Sequence, residues 1–138
     1  MKKKILILGG GYSKERSISI RSAKAIIKTI DKTYKIKFCD PCHKLFKTIE
    51  TFKPDVIFNA LHGRFGEDGY IQSIMEILGK KYTHSGVISS MSAMDKEISK
   101  KIFIKNKILT PKFIEYSFDR KNKNLIRLIE KKLKFPVV

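Results

Sequence analysis

Residues 55–61 read Asp-Val-Ile-Phe-Asn-Ala-Leu and lead straight into His62-Gly63-Arg64-Phe65-Gly66-Glu67-Asp68-Gly69. The first run has the pattern of a strand buried in a sheet. A polar loop with three glycines at the carboxyl end of such a strand lies where open α/β sheets gather their ligands. This pairing constrains the chain more than any other stretch, because it calls for a parallel sheet whose loops meet along one edge. The glycines permit positive φ and let a ligand approach backbone N–H groups. One imidazole and two carboxylates, from His62, Glu67 and Asp68, sit within this short loop. Asp68 also falls beside the start of the helix that Tyr70 begins, where a carboxylate is favoured by the helix dipole.

The flanking segments supply the rest of such a sheet. Lys4-Ile5-Leu6-Ile7-Leu8 reads as a strand buried on both faces, and Gly9-Gly10-Gly11 ends it. The triplet lacks the Gly-Lys-Ser/Thr ending of a phosphate-binding loop, so it is read as a strand-to-helix turn. A helix follows with Ile18, Ala23, Ile26, Ile27 and Ile30 as its apolar stripe, and Glu15 and Arg16 fall at its first turn. Residues 34–39 read as a second strand, with Tyr34, Ile36 and Phe38 on one face. Leu45, Phe46, Ile49 and Phe52 read as the buried face of a short helix stopped by Pro54. After the glycine loop, Ile71, Ile74, Met75 and Leu78 form a further helical stripe that Gly79 closes. Residues 81–86 read as a short strand and turn, with His84 a partly exposed structural residue. A helix is expected from Asp95-Lys96-Glu97 through Ile104, an exit strand over 110–117, and an amphipathic helix on Leu125, Ile126, Leu128, Ile129 and Leu133. Phe135-Pro136-Val137-Val138 ends the chain inside an apolar run. The expected fold is α/β, a three-layer Rossmann-like arrangement of parallel sheet and helices.

Three segments resemble the D-alanine:D-alanine ligase family, ATP-grasp enzymes of peptidoglycan synthesis. The first is His62-Gly63, two residues, Gly66-Glu67-Asp68-Gly69, one residue, then Ile71-Gln72-Ser73. The second is Gly10-Gly11-Tyr12-Ser13-Lys14-Glu15-Arg16-Ser17-Ile18-Ser19, with Tyr12 where the family more often has a small polar residue. The third is Ser92-Ala93-Met94-Asp95-Lys96. The resemblance implies that Glu15 holds the ammonium of the first D-alanine and is the catalytic-site residue here. Ile18 would line the methyl side, Ser19 would support the loop, and His62 would lie against the substrate. Gly63, Gly66, Glu67, Asp68 and Gly69 would shape the signature loop, and Lys96 would reach the nucleotide phosphates. It also implies residues 1–95 as a substrate-binding domain, 96–138 as the truncated start of the central ATP-grasp domain, ATP and Mg²⁺ as cofactors, and a homodimer. The Mg²⁺ ligands are expected beyond Val138, so this chain alone is expected to be inactive. A stand-alone D-amino-acid or nucleotide binding module is the alternative.

The formal charge of +17 raises nucleic acid as a partner. Residues 1–61 carry 14 basic and 5 acidic side chains and residues 62–138 carry 16 and 8, so the excess is spread rather than clustered. Only five of the thirty basic residues are Arg, the residue suited to bidentate phosphate and base contacts. No specific nucleic-acid role is read from this, and no run is long enough to span a membrane. Cys39-Asp40-Pro41-Cys42-His43 matches both a redox Cys-x-x-Cys and a haem-attachment pattern. Haem attachment requires export, and Met1-Lys2-Lys3-Lys4 with a four-residue apolar run is no signal peptide. Two Cys and one His also fall short of a structural zinc site. A cytoplasmic location with reduced thiols is expected. The chain should therefore be retained on nucleic acid only weakly, and retention measured on a DNA column should vanish with added salt regardless of sequence.

Overall fold

The computed structural model describes residues 2–41, 43–116, 125–133 and 135–137. Cys42, Ser117 and Val138, which carry parts of the cysteine-pair, exit-strand and terminal-strand readings, lie outside them. The chain divides into two compact units, Met1–Asp95 and Lys96–Val138.

In the first unit, β1 (Lys4–Leu8), β2 (Lys35–Cys39) and β3 (Val56–Asn59) form an all-parallel sheet in the order β2-β1-β3. The register pairs Ile5 with Ile36 and Val56, and Leu8 with Cys39 and Asn59. Helices α1 (Arg16–Thr29) and α2 (Leu45–Phe52) are the crossovers, and α3 (Tyr70–Ile77) and α4 (Val87–Met94) follow β3. Alternation along β1 divides the core. Leu6 and Leu8 join Leu45, Ile49, Phe52, Ile57, Leu61, Ile71 and Met75 on the side of α2 and α3. Ile7 joins Ala23 and Ala60, with Ile5, Ile26, Ile27, Ile30, Ile36 and Phe58 packed around them, on the side of α1. The sheet is thus covered on both faces, as a continuous apolar β1 requires. This is the three-layer α/β arrangement expected.

Several details depart from the sequence reading. Phe46 is 56% exposed, because only Leu45, Ile49 and Phe52 of α2 face the sheet. Ile18 is 40% exposed, and the neighbouring Ser19 takes the buried position on α1. Residues 81–86 reach the sheet through a single parallel bridge, Ile57 to Tyr82, rather than a strand. It is pinned by Ile57 N–H to the Lys81 carbonyl at 2.8 Å and Thr83 N–H to the Ile57 carbonyl at 3.0 Å. His84 is exposed and sits at φ +85°, with Phe58 edge-on.

The second unit contains α5 (Lys96–Lys105) and α6 (Leu125–Lys132). The exit strand is not formed over the described residues 110–116, which have no neighbouring strand to pair with. Lysines of α5 hold this segment instead. Lys100 Nζ donates to the Pro111 carbonyl at 2.8 Å, and Lys101 lies between Glu97 and Glu115, whose hydrogen bonds raise its pKa.

The helix-to-sheet distance is set at Gly9. A Cβ placed there would meet Ala23 Cβ at 2.6 Å and the Phe38 ring at 3.0 Å. Gly9→Ala should destabilise the chain by about 1–3 kcal/mol, the range for overpacking a close-packed interior. Urea unfolding checks it, and adding Ala23→Gly should restore much of the loss.

Candidate functional site

All three strands run the same way, so the segments after β1, β2 and β3 meet along one edge. The turn after β1 is closed by side chains. Gly10 N–H donates to Ser19 Oγ at 2.8 Å, and Ser19 Oγ in turn donates to the Ala60 carbonyl at 2.7 Å. Ser19 is fully buried, so this one hydroxyl ties α1 to the ends of β1 and β3. Gly11 N–H donates to Asp40 Oδ1 at 2.8 Å, and Arg16 of α1 pairs with Asp40 and donates to the Gly11 carbonyl. The Asp40 carboxylate thereby has a structural task of its own, closing the turn after β1.

The signature loop is held by its own side chains. Glu67 Oε2 accepts from Gly63 N–H at 2.8 Å, while Asp68 accepts from Phe65 N–H at 2.9 Å and from Tyr70 N–H at 3.2 Å. Phe65 occupies the left-handed region at φ +67°, uncommon for a non-glycine residue, and the Asp68 bond secures it. These carboxylates occupy amides that the sequence reading left open to a ligand. The loop is therefore a rigid platform rather than a cradle of bare N–H groups. From below, the buried amides of Asn59 and Gln72 both donate to the Gly66 carbonyl, at 2.9 and 3.0 Å. A Cβ on Gly66 would lie 2.5 Å from Leu61 Cβ, so only glycine lets the loop fold back this tightly.

The two motif segments converge at Gly63. Its φ is +68°, and a Cβ there would lie 2.6 Å from Ser13 Oγ and 2.8 Å from Glu15 Oε1. The Glu15 carboxylate thus sits directly over the signature loop. Glu15 caps the N-terminal end of α1 without a side-chain cap bond, and no Lys or Arg pairs with it among the described residues. His62 lies between Ser22 of α1, whose Oγ is 3.0 Å from Nε2, and Glu67, whose Oε1 is 3.5 Å from Nδ1. A cavity of about 420 Å³ opens beside the loop, walled by Tyr12, Phe46, Phe65 and Tyr70 and edged by His43 and Arg64. His62 and Gly66 line it, whereas Glu15, Ile18, Ser19, Glu67 and Asp68 do not. Lys96 is the exposed first residue of α5, in the second unit.

The described residues assemble no cluster of His, Cys, Asp or Glu able to hold a metal ion. Of the residues that shape the loop, sequence reasoning missed Asn59 as a support. A polar residue closing an apolar strand was the available signal.

Fold and site together define a three-layer α/β domain with a cavity on the carboxyl edge of its sheet. Residues 40–85 match the family described as the D-ala D-ala ligase N-terminus. A D-alanine–D-alanine ligase of Pelagibacter ubique (strain HTCC1062) is 63% identical over the whole chain, which covers 46% of that protein. One of Wolbachia sp. subsp. Brugia malayi (strain TRS) is 49% identical over 78% of this chain and 32% of its own length. The crystal structure of the D-alanine–D-alanine ligase from Bacillus anthracis complexed with ATP superposes with a TM-score of 0.76 at 36% identity, covering 92% of this chain and 44% of that one. The chain is similar along its whole length to part of a D-alanine–D-alanine ligase. It spans about half the length, or less, of the curated relatives it matches.

Ser19→Ala would leave the Gly10 N–H and the Ala60 carbonyl without their partner in a dry interior. It should lower stability by about 2–4 kcal/mol in urea unfolding, well above the cost of removing an exposed hydroxyl.

Proposed function

We propose that this chain supplies the first-substrate site of an ATP-dependent D-alanine–D-alanine ligase. The observation that carries the reading is the Glu15 carboxylate set over Gly63 without a cationic partner among the described residues, in a chain of net charge +17. A carboxylate so placed is open to an ammonium group, and the signature loop gives it a fixed floor. Glu15 would hold the ammonium of the first D-alanine, Ile18 would offer its exposed side chain to the methyl group, and His62 would lie against the substrate. Holding the amino acid in one orientation contributes to catalysis by making the encounter intramolecular.

In the reaction proposed for the longer protein, the carboxylate of this first D-alanine takes the γ-phosphoryl group of ATP. The amine of a second D-alanine then attacks the acyl phosphate and phosphate leaves. ATP use is supported by the ATP complex of the Bacillus anthracis relative. Among the described residues no group of His, Cys, Asp or Glu could hold a metal ion, and Mg²⁺ bound elsewhere in the longer protein would neutralise the triphosphate charge. Residues 1–95 would be the substrate-binding domain and residues 96–138 the start of the nucleotide-binding domain, with Lys96 directed to the phosphates. The two compact units support that division. A cytoplasmic homodimer belongs to the same reading. It is supported by the absence, among the described residues, of a helix able to cross a membrane, and by the exposed apolar side chains of Ile77 and Ile88.

Calorimetry with D-alanine tests the site. The chain should bind D-alanine, and Glu15→Gln should weaken binding about 10- to 100-fold, the loss of one charge-assisted hydrogen bond, with the melting midpoint unchanged. Equal affinity of the two proteins, or no binding by either, would sink the reading. The chain incubated with D-alanine and ATP should form no D-alanyl-D-alanine, and dipeptide in that assay would show that the ligase site is complete without the rest of the relatives' length.

A further inference from the structure

We propose that Ser22 is a positioning residue that fixes the tautomer and ring orientation of His62, an inference resting on the reading of His62 as a ligand-facing group. Ser22 lies on α1 three residues beyond Ser19 and so shares its face. Ser19 reaches the Ala60 carbonyl, and Ser22 reaches the imidazole of His62 two residues further along the chain leaving β3. One helix face therefore reads two successive inward positions of the strand's exit.

The proton positions follow from the partners. An ionised carboxylate only accepts. With Glu67 Oε1 at 3.5 Å, the proton of the neutral ring belongs on Nδ1. Nε2 then carries a lone pair, and the Ser22 hydroxyl at 3.0 Å donates to it. Glu67 is itself fixed, because its other oxygen accepts from Gly63 N–H at 2.8 Å. The ring thus has a hydrogen-bond partner from the helix at Nε2 and a carboxylate from the loop facing Nδ1. It cannot turn over about its Cβ–Cγ axis without giving up both contacts. Removing the Ser22 hydroxyl leaves Nε2 without its donor and frees the ring to flip or to move its proton. The hydroxyl also suits the protonated ring, since it can accept from Nε2–H.

A hydroxyl, an imidazole and a carboxylate in this order also match a nucleophilic triad. The surroundings argue against that use. Ser22 lies within α1 rather than on an exposed turn. The amides of Gly10, Gly11, Gly63 and Phe65 along this edge already bond to Ser19, Asp40, Glu67 and Asp68, so none of the four is open to a developing oxyanion. Ser22 acts through His62.

Long-range ¹H–¹⁵N correlation spectra of the ¹⁵N-labelled chain, taken where the imidazole is neutral, test this directly. In the wild type the His62 Nδ1 signal should stand at the protonated position and Nε2 at the unprotonated one. Ser22→Ala should move both toward averaged values while the backbone spectrum keeps its dispersion, and Ser22→Thr should restore the wild-type pattern. A protonated Nε2 in the wild type, no change in Ser22→Ala, or a Ser22→Thr spectrum like that of alanine would each overturn the proposal. Covalent labelling of Ser22 by a fluorophosphonate would overturn it in favour of a nucleophile. These readouts need neither D-alanine nor ATP. Failure to bind D-alanine would therefore tell against the function proposed above, while the spectra decide the role of Ser22.

Discussion

The sheet is parallel and buried on both faces, and the remaining features follow from that constraint. Parallel neighbours cannot be joined by tight turns, so each connection crosses a face as a helix and returns to the same starting edge. Every strand then ends at the opposite edge, where Gly9–Ser13, Asp40–Pro41 and His62–Gly69 meet. Residues far apart in sequence reach one another there, as Arg16 and Asp40, or Glu15 and Gly63, do. A one-residue shift of β1 would exchange the Leu6 and Leu8 face with the Ile5 and Ile7 face and alter every contact of α1. The two different apolar sets on its two sides hold the register.

Much of this was legible in the chain itself, for reasons that differ by element. Strand β1 is a continuous apolar run and helix α3 has a strong helical period, each closed by glycine, and both formed where expected. Phe46 and Ile18 show where periodicity fails. A helix over a three-stranded sheet has a narrow footprint, and apolar residues at its margin remain exposed. Ser19 was expected to support the loop through family resemblance, yet its burial could not be seen from hydropathy, because a serine with two internal partners behaves as a core residue. The described part of the expected exit strand, residues 110–116, had the composition but no neighbour among the described residues, and β-propensity without a pairing edge does not make a strand.

The candidate site was legible as a set of residues but not as a geometry. The sequence put His62, Glu67 and Asp68 in one loop and suggested bare amides between them. The structure turns the two carboxylates inward onto Gly63 and Phe65, where they close the loop's own backbone. The amides of Gly63 and Phe65 are therefore taken, and Glu15 and His62 lie beside them as side chains. Glycines serve different ends within eight residues: Gly63 accommodates Glu15 above it, and Gly66 admits the backbone of Leu61 beneath.

The bond from Gly10 N–H to Ser19 Oγ has a kinetic meaning as well. Most amides near the sheet are shielded by ladder partners, and their exchange with solvent reports separation of strands. Gly10 is shielded by a residue of α1 instead, so its proton is released when that helix lifts from the sheet, even while the strands stay paired. A single amide thereby separates two kinds of opening, undocking of the helix and breakage of the sheet, that a global unfolding curve would merge.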